Sequence, residues 1–439
     1  MTRAWQVLFA LCLAFAALPV QAQSVIRDAE IENALGRIAS PILRAAGMGP
    51  GQVDIYIVND PDLNAYVAGG NNIFLHSGLL RKLETIDQLQ AVIAHEVAHI
   101  TGGHLARRNE KIRQAQRKSG IGAALALAAV VAGQGEVGLA AGLLSQEVAL
   151  RDVLAHSRAE EAAADQAGLG YMVGAGADPR AIMEVMEIFR GQEILSERYV
   201  DPYVQTHPLW NRRIRLLEDR VASARQGPGR SQAEVLSHAR MVAKFDGFLG
   251  NPRRTLNKYK DDKTEIGALA RAVAYHRIPN PKRALATVDA LLRVKPNDPY
   301  YHELRGQFLI ESGRAAEAAK SYRHAARLAP NEPLILAGLG RALVALDTPA
   351  ATQEALDVLT RAAARETANP VILRNLAVVH ARQGRPGRAS LATAERFALQ
   401  GRLRDADIHA ARAAGQLPEG SPGWRQAQDI LRITRRAKK

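Results

Sequence analysis

The 439-residue chain has a single cysteine, Cys12. One thiol cannot close an intrachain disulfide, so the fold does not rest on a disulfide framework. Aromatic residues make up only 5% of the chain, against 47% hydrophobic residues overall. That disfavours an aromatic-rich β-sandwich and favours close-packed helices of small residues. Long apolar runs are scarce as well. Leu8–Leu18 is shorter than the roughly 20 residues that span a bilayer. Residues 119–147 are apolar but glycine-rich, and Gln134 and Glu136 interrupt them. They read as a buried or lid-like helical pair, with a membrane-surface flap as the other reading.

The first residues carry a targeting pattern instead. Arg3 precedes the Leu8–Leu18 run, and Val20-Gln21-Ala22 has the small-x-small form of a cleavage site. A signal peptide over residues 1–22 is therefore expected, with export to the periplasm. Charge is uneven along the rest. The net charge is +14, and Ser231–Lys439 alone holds 35 Lys and Arg against 20 Asp and Glu. The simple reading is a solvated basic face. The functional reading is an acidic partner, either a protein face or an anionic membrane surface. Export argues against nucleic acid.

Local patterns outline two domains after the signal peptide. Ile26–Ala46 reads as a helix. Val53–Val58 alternates like a strand, Asn72–His76 fits as its neighbour, and Gly69-Gly70-Asn71 turns the chain between extended pieces. From Asp87 to Gly102 the pattern is helical; Thr85 and Gln88 form a capping box, and Gly102-Gly103 a stop. A second helix is expected over Gln146–Val173, and a linker over Arg225–Gln232. Beyond it Pro296 and Pro330 lie 34 residues apart, as do Pro299 and Pro333. Gly306, Gly313, Ala318, Tyr322 and Ala325 fall at tetratricopeptide offsets between them. Further units follow with Leu339-Gly340, with Gly384 and Ala389, and, more degenerate, with Gly401, Ala406 and Ala413. The expected architecture is α+β and mostly α. A mixed domain with a small sheet over 23–228 precedes a helical solenoid over 229–439 with a concave groove.

Residues 91–104 read AVIAHEVAHITGGH. On a helix His95 and His99 lie one turn apart on one face, a spacing that lets both imidazoles reach one Zn2+ ion. Glu96 points aside from the pair, where it can take a proton from water. Zinc needs a third protein ligand, and three candidates exist. His104 follows His99 by five residues, where the extended motif HExxHxxGxxH needs six, so it reads as structural. Glu161 in SRAEEAAAD shares a helical face with Asp165, and Glu160 is its rival. His207 in QTHPLWNRRI can bind metal or stabilise an oxyanion.

AHEVAHITGGH, SRAEEAAAD and THPLWNRRI, in this order, resemble the HExxH metalloproteases related to CaaX prenyl endopeptidase. NAYVAGGNNIFLHSGLL (Asn64–Leu80) looks like the strand segment ahead of the motif in that family. A signal and a repeat tail make the chain similar to the periplasmic branch. The resemblance implies His95, His99 and Glu161 as zinc ligands and Glu96 as general base. It implies His207 near the metal, and Asp165 and Arg213 as braces. The substrate would pair with an edge strand through Asn64, Ala65, Asn72 and Phe74. The expected activity is zinc-dependent cleavage of misfolded envelope proteins, especially outer-membrane β-barrels, with the repeats contacting the assembly machinery. The competing expectation is a chaperone or scaffold whose repeat groove does the work over a latent protease site.

Overall fold

The computed structural model describes residues 25–104, 106–107, 110, 147–195 and 211–437. Two compact units emerge. The first comprises residues up to Ile26 and Gly36–Gly229; the second comprises Arg27–Leu35 and Arg230–Lys439. The sequence reading places residues 27–35 in the first domain, whereas their contacts group them with the second.

The first unit contains a four-stranded sheet of β1 (Val25–Ile26), β2 (Asp54–Val58), β3 (Ala65–Ala68) and β4 (Asn72–His76), in the order β1-β2-β4-β3. β4 runs parallel to β2 with Asp54 opposite Asn72, and antiparallel to β3 with Ala65 opposite Leu75. The β3–β4 turn uses Gly69 and Gly70 at φ 58° and 100°, a region that glycine enters without a Cβ penalty. Alternation sorts the two faces. Ile73 and Leu75 are fully buried, while Phe74 stacks between Tyr56 and Tyr66 at ring separations of 5.3 and 5.1 Å.

The N-terminal helix α1 (Ala29–Ala45) and the short α2 (Ser77–Lys82) lead to α3 (Ile86–Thr101). Thr85 caps α3 in the expected box with Gln88, and Gly103 at φ 66° turns the chain beyond it. The α3 helix is buried from Ile86 to His99 apart from Asp87. It packs against β3, β4, α4 (Glu147–Gly174) and α5 (Ala181–Leu195). The helix α6 (Asn211–Ser223) contacts α4 and α5. Residues 119–146 lie outside the described residues, and no described helix is long and apolar enough to cross a membrane.

The second unit is helical. After α7 (Gln232–Leu249) and α8 (Pro252–Lys258) come α9 (Glu265–Arg277), α10 (Pro281–Val294), α11 (Pro299–Glu311), α12 (Ala315–Leu328), α13 (Pro333–Leu346), α14 (Pro349–Arg365), α15 (Pro370–Arg382), α16 (Pro386–Leu399), α17 (Leu403–Gln416) and α18 (Pro422–Ala437). Helices α9 to α18 pack as successive neighbours, and α7 packs against α9. The pair α9–α10 precedes the first repeat marked by proline spacing. The last pair, α17–α18, buries Ala406, Ala410, Ala413 and Ala427 completely.

Tyr322 shows why the repeat needs small residues. A Cβ added at Gly306 would sit 2.7 Å from the Tyr322 ring, and one at Gly338 only 2.3 Å from it. Residues 27–35 are fixed within the same unit by charge. Lys244 contacts Asp28 at 2.6 Å and Glu30 at 3.4 Å. Arg240 pairs with Glu30, with Asp298 at 2.6 Å and with Glu265 at 3.0 Å. Glu332, half-buried, caps α13 by accepting from the Leu334 amide at 3.3 Å. Burial, aided by Glu32 and Glu366, pushes its pKa up to about 7.

Gly338→Ala should lower stability by about 1–3 kcal/mol, because the ring has nowhere to go. Gly415→Ala, at an exposed helical position with open space, should raise it by about 0.5–1 kcal/mol. Chemical denaturation of the two variants checks the contrast. The raised pKa of Glu332 means that the folded unit takes up its proton more readily than the unfolded chain. Its ionisation therefore costs stability above about pH 7, and the cost fades as pH falls towards the unfolded carboxylate range. Glu332→Gln should gain about 1 kcal/mol at pH 8 and nothing at pH 4, read as the difference between melting curves.

Candidate metal centre

The buried α3 and one face of α4 build the site. His95, Glu96 and His99 belong to α3 and are 7%, 1% and 6% exposed. Glu161 and Asp165 lie one turn apart on α4 and are 0% and 5% exposed. Gly168, one turn further on the same face, sets the separation. A Cβ there would meet the His95 amide nitrogen at 3.3 Å and the Ala94 carbonyl at 3.4 Å, so glycine lets α4 close on the backbone of α3.

This approach brings three donors to one point. His95 Nε2 and His99 Nε2 are 3.0 Å apart. Glu161 presents one carboxylate oxygen to each, both at 3.2 Å. One ligand atom from each of the three lies within 4.8 Å of the other two. Two imidazoles and one carboxylate are a donor set suited to zinc. The third-ligand alternatives separate clearly. Glu160 lies 3.5 Å from Arg107, away from the cluster. His104 is buried but meets the far side of His99, Nδ1 to Nδ1 at 2.8 Å. His207 lies outside the described residues.

The surrounding groups orient the donors. Asp165 accepts from His95 Nδ1 at 3.1 Å, which turns Nε2 towards the cluster. Arg213 of α6 donates to both Asp165 oxygens, through Nη2 at 2.7 Å and through Nε. Its Nη1 also reaches Glu161 at 3.2 Å. Burial alone would lower the His95 pKa; hydrogen bonds to Asp165 and Glu161 outweigh it and raise the pKa to about 9. Burial would raise the Asp165 pKa, but Arg213 and His95 hold it below the ordinary carboxylate range. Burial pushes His104 down, so its neutral ring can accept from His99 Nδ1–H. Ile182, Val185, Met186 and Phe189 of α5 line a cavity of about 30 Å3 against His95, Asp165 and Arg213. They keep this cluster in apolar surroundings.

The expected substrate strand divides. Asn64 and Ala65 stand at the start of β3, which is an edge strand packed against α3. Asn72 and Phe74 do not belong to an edge. They lie on β4, whose two sides are taken by β2 and β3. A short crossover inserts β4 between strands that precede it in the chain, and no local pattern specifies that order. The sequence reading also missed Gly168 and the contact of His104 with His99. A glycine seven residues after Glu161 was the available signal for the first.

Asp165→Asn should weaken zinc binding by about 10–100-fold, since an amide cannot hold both His95 Nδ1–H and Arg213 as an anion does. His104→Ala should act in the same direction. Titration against a competing chelator reads both. Unchanged affinity in both variants would remove these residues from the support of the site.

Comparisons with known proteins agree with the donor set. Residues 26–221 match Peptidase family M48. The Beta-barrel assembly-enhancing protease of Escherichia coli (strain K12) is 26% identical over 384 residues, 83% of this chain and 75% of that protein. The Yersinia pestis protein of the same name is 26% identical over 364 residues, 80% of this chain and 72% of that one. The mitochondrial metalloendopeptidase OMA1 of Schizosaccharomyces pombe is 31% identical over 190 residues, 43% of this chain and 53% of its own. Among solved structures, that of MamA covers 38% of this chain and 97% of its own at TM-score 0.30 and 20% identity. Residues 26–221 thus form a metallopeptidase domain of family M48.

Proposed function

We infer that the chain is a zinc-dependent endopeptidase of the bacterial periplasm that removes misfolded outer-membrane β-barrel proteins and assists their assembly. The observation that carries the chemistry is the convergence of His95, His99 and Glu161 on one point, with the buried carboxylate Glu96 next to His95 in the chain. The pattern of the first 22 residues supports export. The names of the relatives support the choice of substrate.

His95, His99 and Glu161 would hold the ion. Zinc bound there supplies a Lewis acid that brings the pKa of water down to about 7. Glu96 takes the proton from the attacking water and returns it to the leaving amine. Asp165 and Arg213 keep His95 and Glu161 in register, and His207 is assigned to the developing oxyanion. The substrate lies extended along β3 near Asn64 and Ala65, pairing through its backbone. Such pairing is largely blind to sequence and rejects folded chains, which suits misassembled strands with open edges. A second reading, binding through the helical repeats with little turnover, is favoured by a groove of about 740 Å3 in the second unit. Contacts with the assembly machinery or an anionic membrane surface belong to that unit, whose Ser231–Lys439 segment holds the excess positive charge.

Glu96→Gln should keep its zinc and slow cleavage of an unfolded protein by at least about 100-fold, the share of a general base. Zinc content and peptide-bond hydrolysis, measured on both proteins, test this. A variant that still cuts at the wild-type rate would exclude Glu96 as the base. A zinc-loaded wild type that never cuts would leave the binding reading standing.

A further inference from the structure

The groove in the second unit has its own chemistry. About 740 Å3 in volume, it is lined by α14, α15 and α16, with Gln426 from α18. That volume falls within the roughly 300–1,000 Å3 typical of ligand sites. Its apolar surface comes from Leu356, Leu373, Leu376 and Leu391. Three guanidinium side chains, Arg361, Arg385 and Arg388, face it beside only two carboxylates, Asp357 and Glu395.

The positive groups are unevenly satisfied. Arg361 donates to the Pro330 carbonyl at 2.9 Å. Arg385 and Arg388, three residues apart and both exposed, have no side-chain hydrogen bond or ion pair among the described residues. His380 lines the same groove, and its Nδ1 is buried without a partner among the described residues. Burial and the two arginines push its pKa down, so it adds no charge of its own near neutral pH. An arginine pair of this kind takes a carboxylate well, because each guanidinium offers a planar fork of donors. Leu373, Leu376 and Leu391 are buried in the groove floor, and the half-buried Leu356 is left for an apolar neighbour of that carboxylate.

We propose that this groove binds an extended segment of unfolded polypeptide in which one aspartate or glutamate is flanked by apolar residues. The carboxylate sits between Arg385 and Arg388, and a flanking apolar side chain rests on Leu356. The proposal deepens the reading that the chain acts on unfolded protein, and names the sequence feature that its second unit selects. It also gives the excess positive charge of that unit a local use, because the groove carries one more cation than anion.

The test uses the full chain carrying Glu96→Gln, so that binding is read without cleavage. The probe is a fluorescent peptide, acetylated and amidated at its ends, with one glutamate between leucines and phenylalanines. Matched peptides carry glutamine or lysine in its place. Fluorescence anisotropy should show the glutamate peptide binding at least about tenfold tighter than the glutamine peptide, as expected for one charge-assisted contact. The double variant Arg385→Glu/Arg388→Glu should lose that preference and bind the lysine peptide better, which also shows that it is folded. Equal affinity for the glutamate and glutamine peptides overturns the proposal. So does a preference that survives the double variant. Binding that requires a free peptide carboxyl end overturns it in favour of chain-end capture. Cleavage by the unmodified enzyme is measured separately, so failure here leaves the peptidase reading untouched.

Discussion

Everything in the first unit follows from the need to bury charge inside an apolar helix pair. The α3 helix carries His95, Glu96 and His99 through a core of valine, isoleucine and alanine. Isolated ionised groups in such surroundings are costly, and only pairing and hydrogen bonding offset that cost. The solution is a continuous chain of contacts. Arg213 holds Asp165 and Glu161, Asp165 holds His95, Glu161 faces both imidazoles, and His104 backs His99. Removal of any member leaves its neighbour buried and unsatisfied. The sheet serves this arrangement by fixing one side of α3 and by presenting β3 beside it.

The second unit solves a different problem with few large residues. Its helices approach closely because glycines and alanines stand where they cross. Tyr322 fills the space that two glycines leave, so a single aromatic couples three consecutive helices. Where the repeat loses such landmarks, towards Gln416 and beyond, alanines still bury fully. The groove lies between α14 and α16, where each helix still opens on a proline: Pro349, Pro370 and Pro386.

Much of this was legible in the sequence wherever the signal is local. The Thr85–Gln88 capping box, the Gly69–Gly70 turn and the one-turn spacing of His95 and His99 each depend on a few neighbouring residues. The helix carrying Glu161 was also legible, but spacing alone left Glu160 as its equal, because which carboxylate faces α3 depends on the rotation of one helix against another. Strand order was not legible. The β2–β4 pairing was expected, yet the insertion of β4 beside β3 is a long-range choice, and it moved Asn72 and Phe74 off the edge. Residues 27–35 were misassigned for the same reason. Their partners Arg240 and Lys244 lie more than 200 residues away.

The formal charges around the candidate centre have a consequence of their own. Glu96, Glu161 and Asp165 bring three negative charges to the buried set, and Arg213 brings one positive charge. The imidazoles, neutral when they act as ligands, add none. The deficit is two, so a doubly charged ion makes the set neutral. A singly charged ion would leave a negative charge without solvent, and a triply charged one would leave a positive charge. By formal charge alone, the set is balanced by a divalent cation, in keeping with its two imidazoles and one carboxylate.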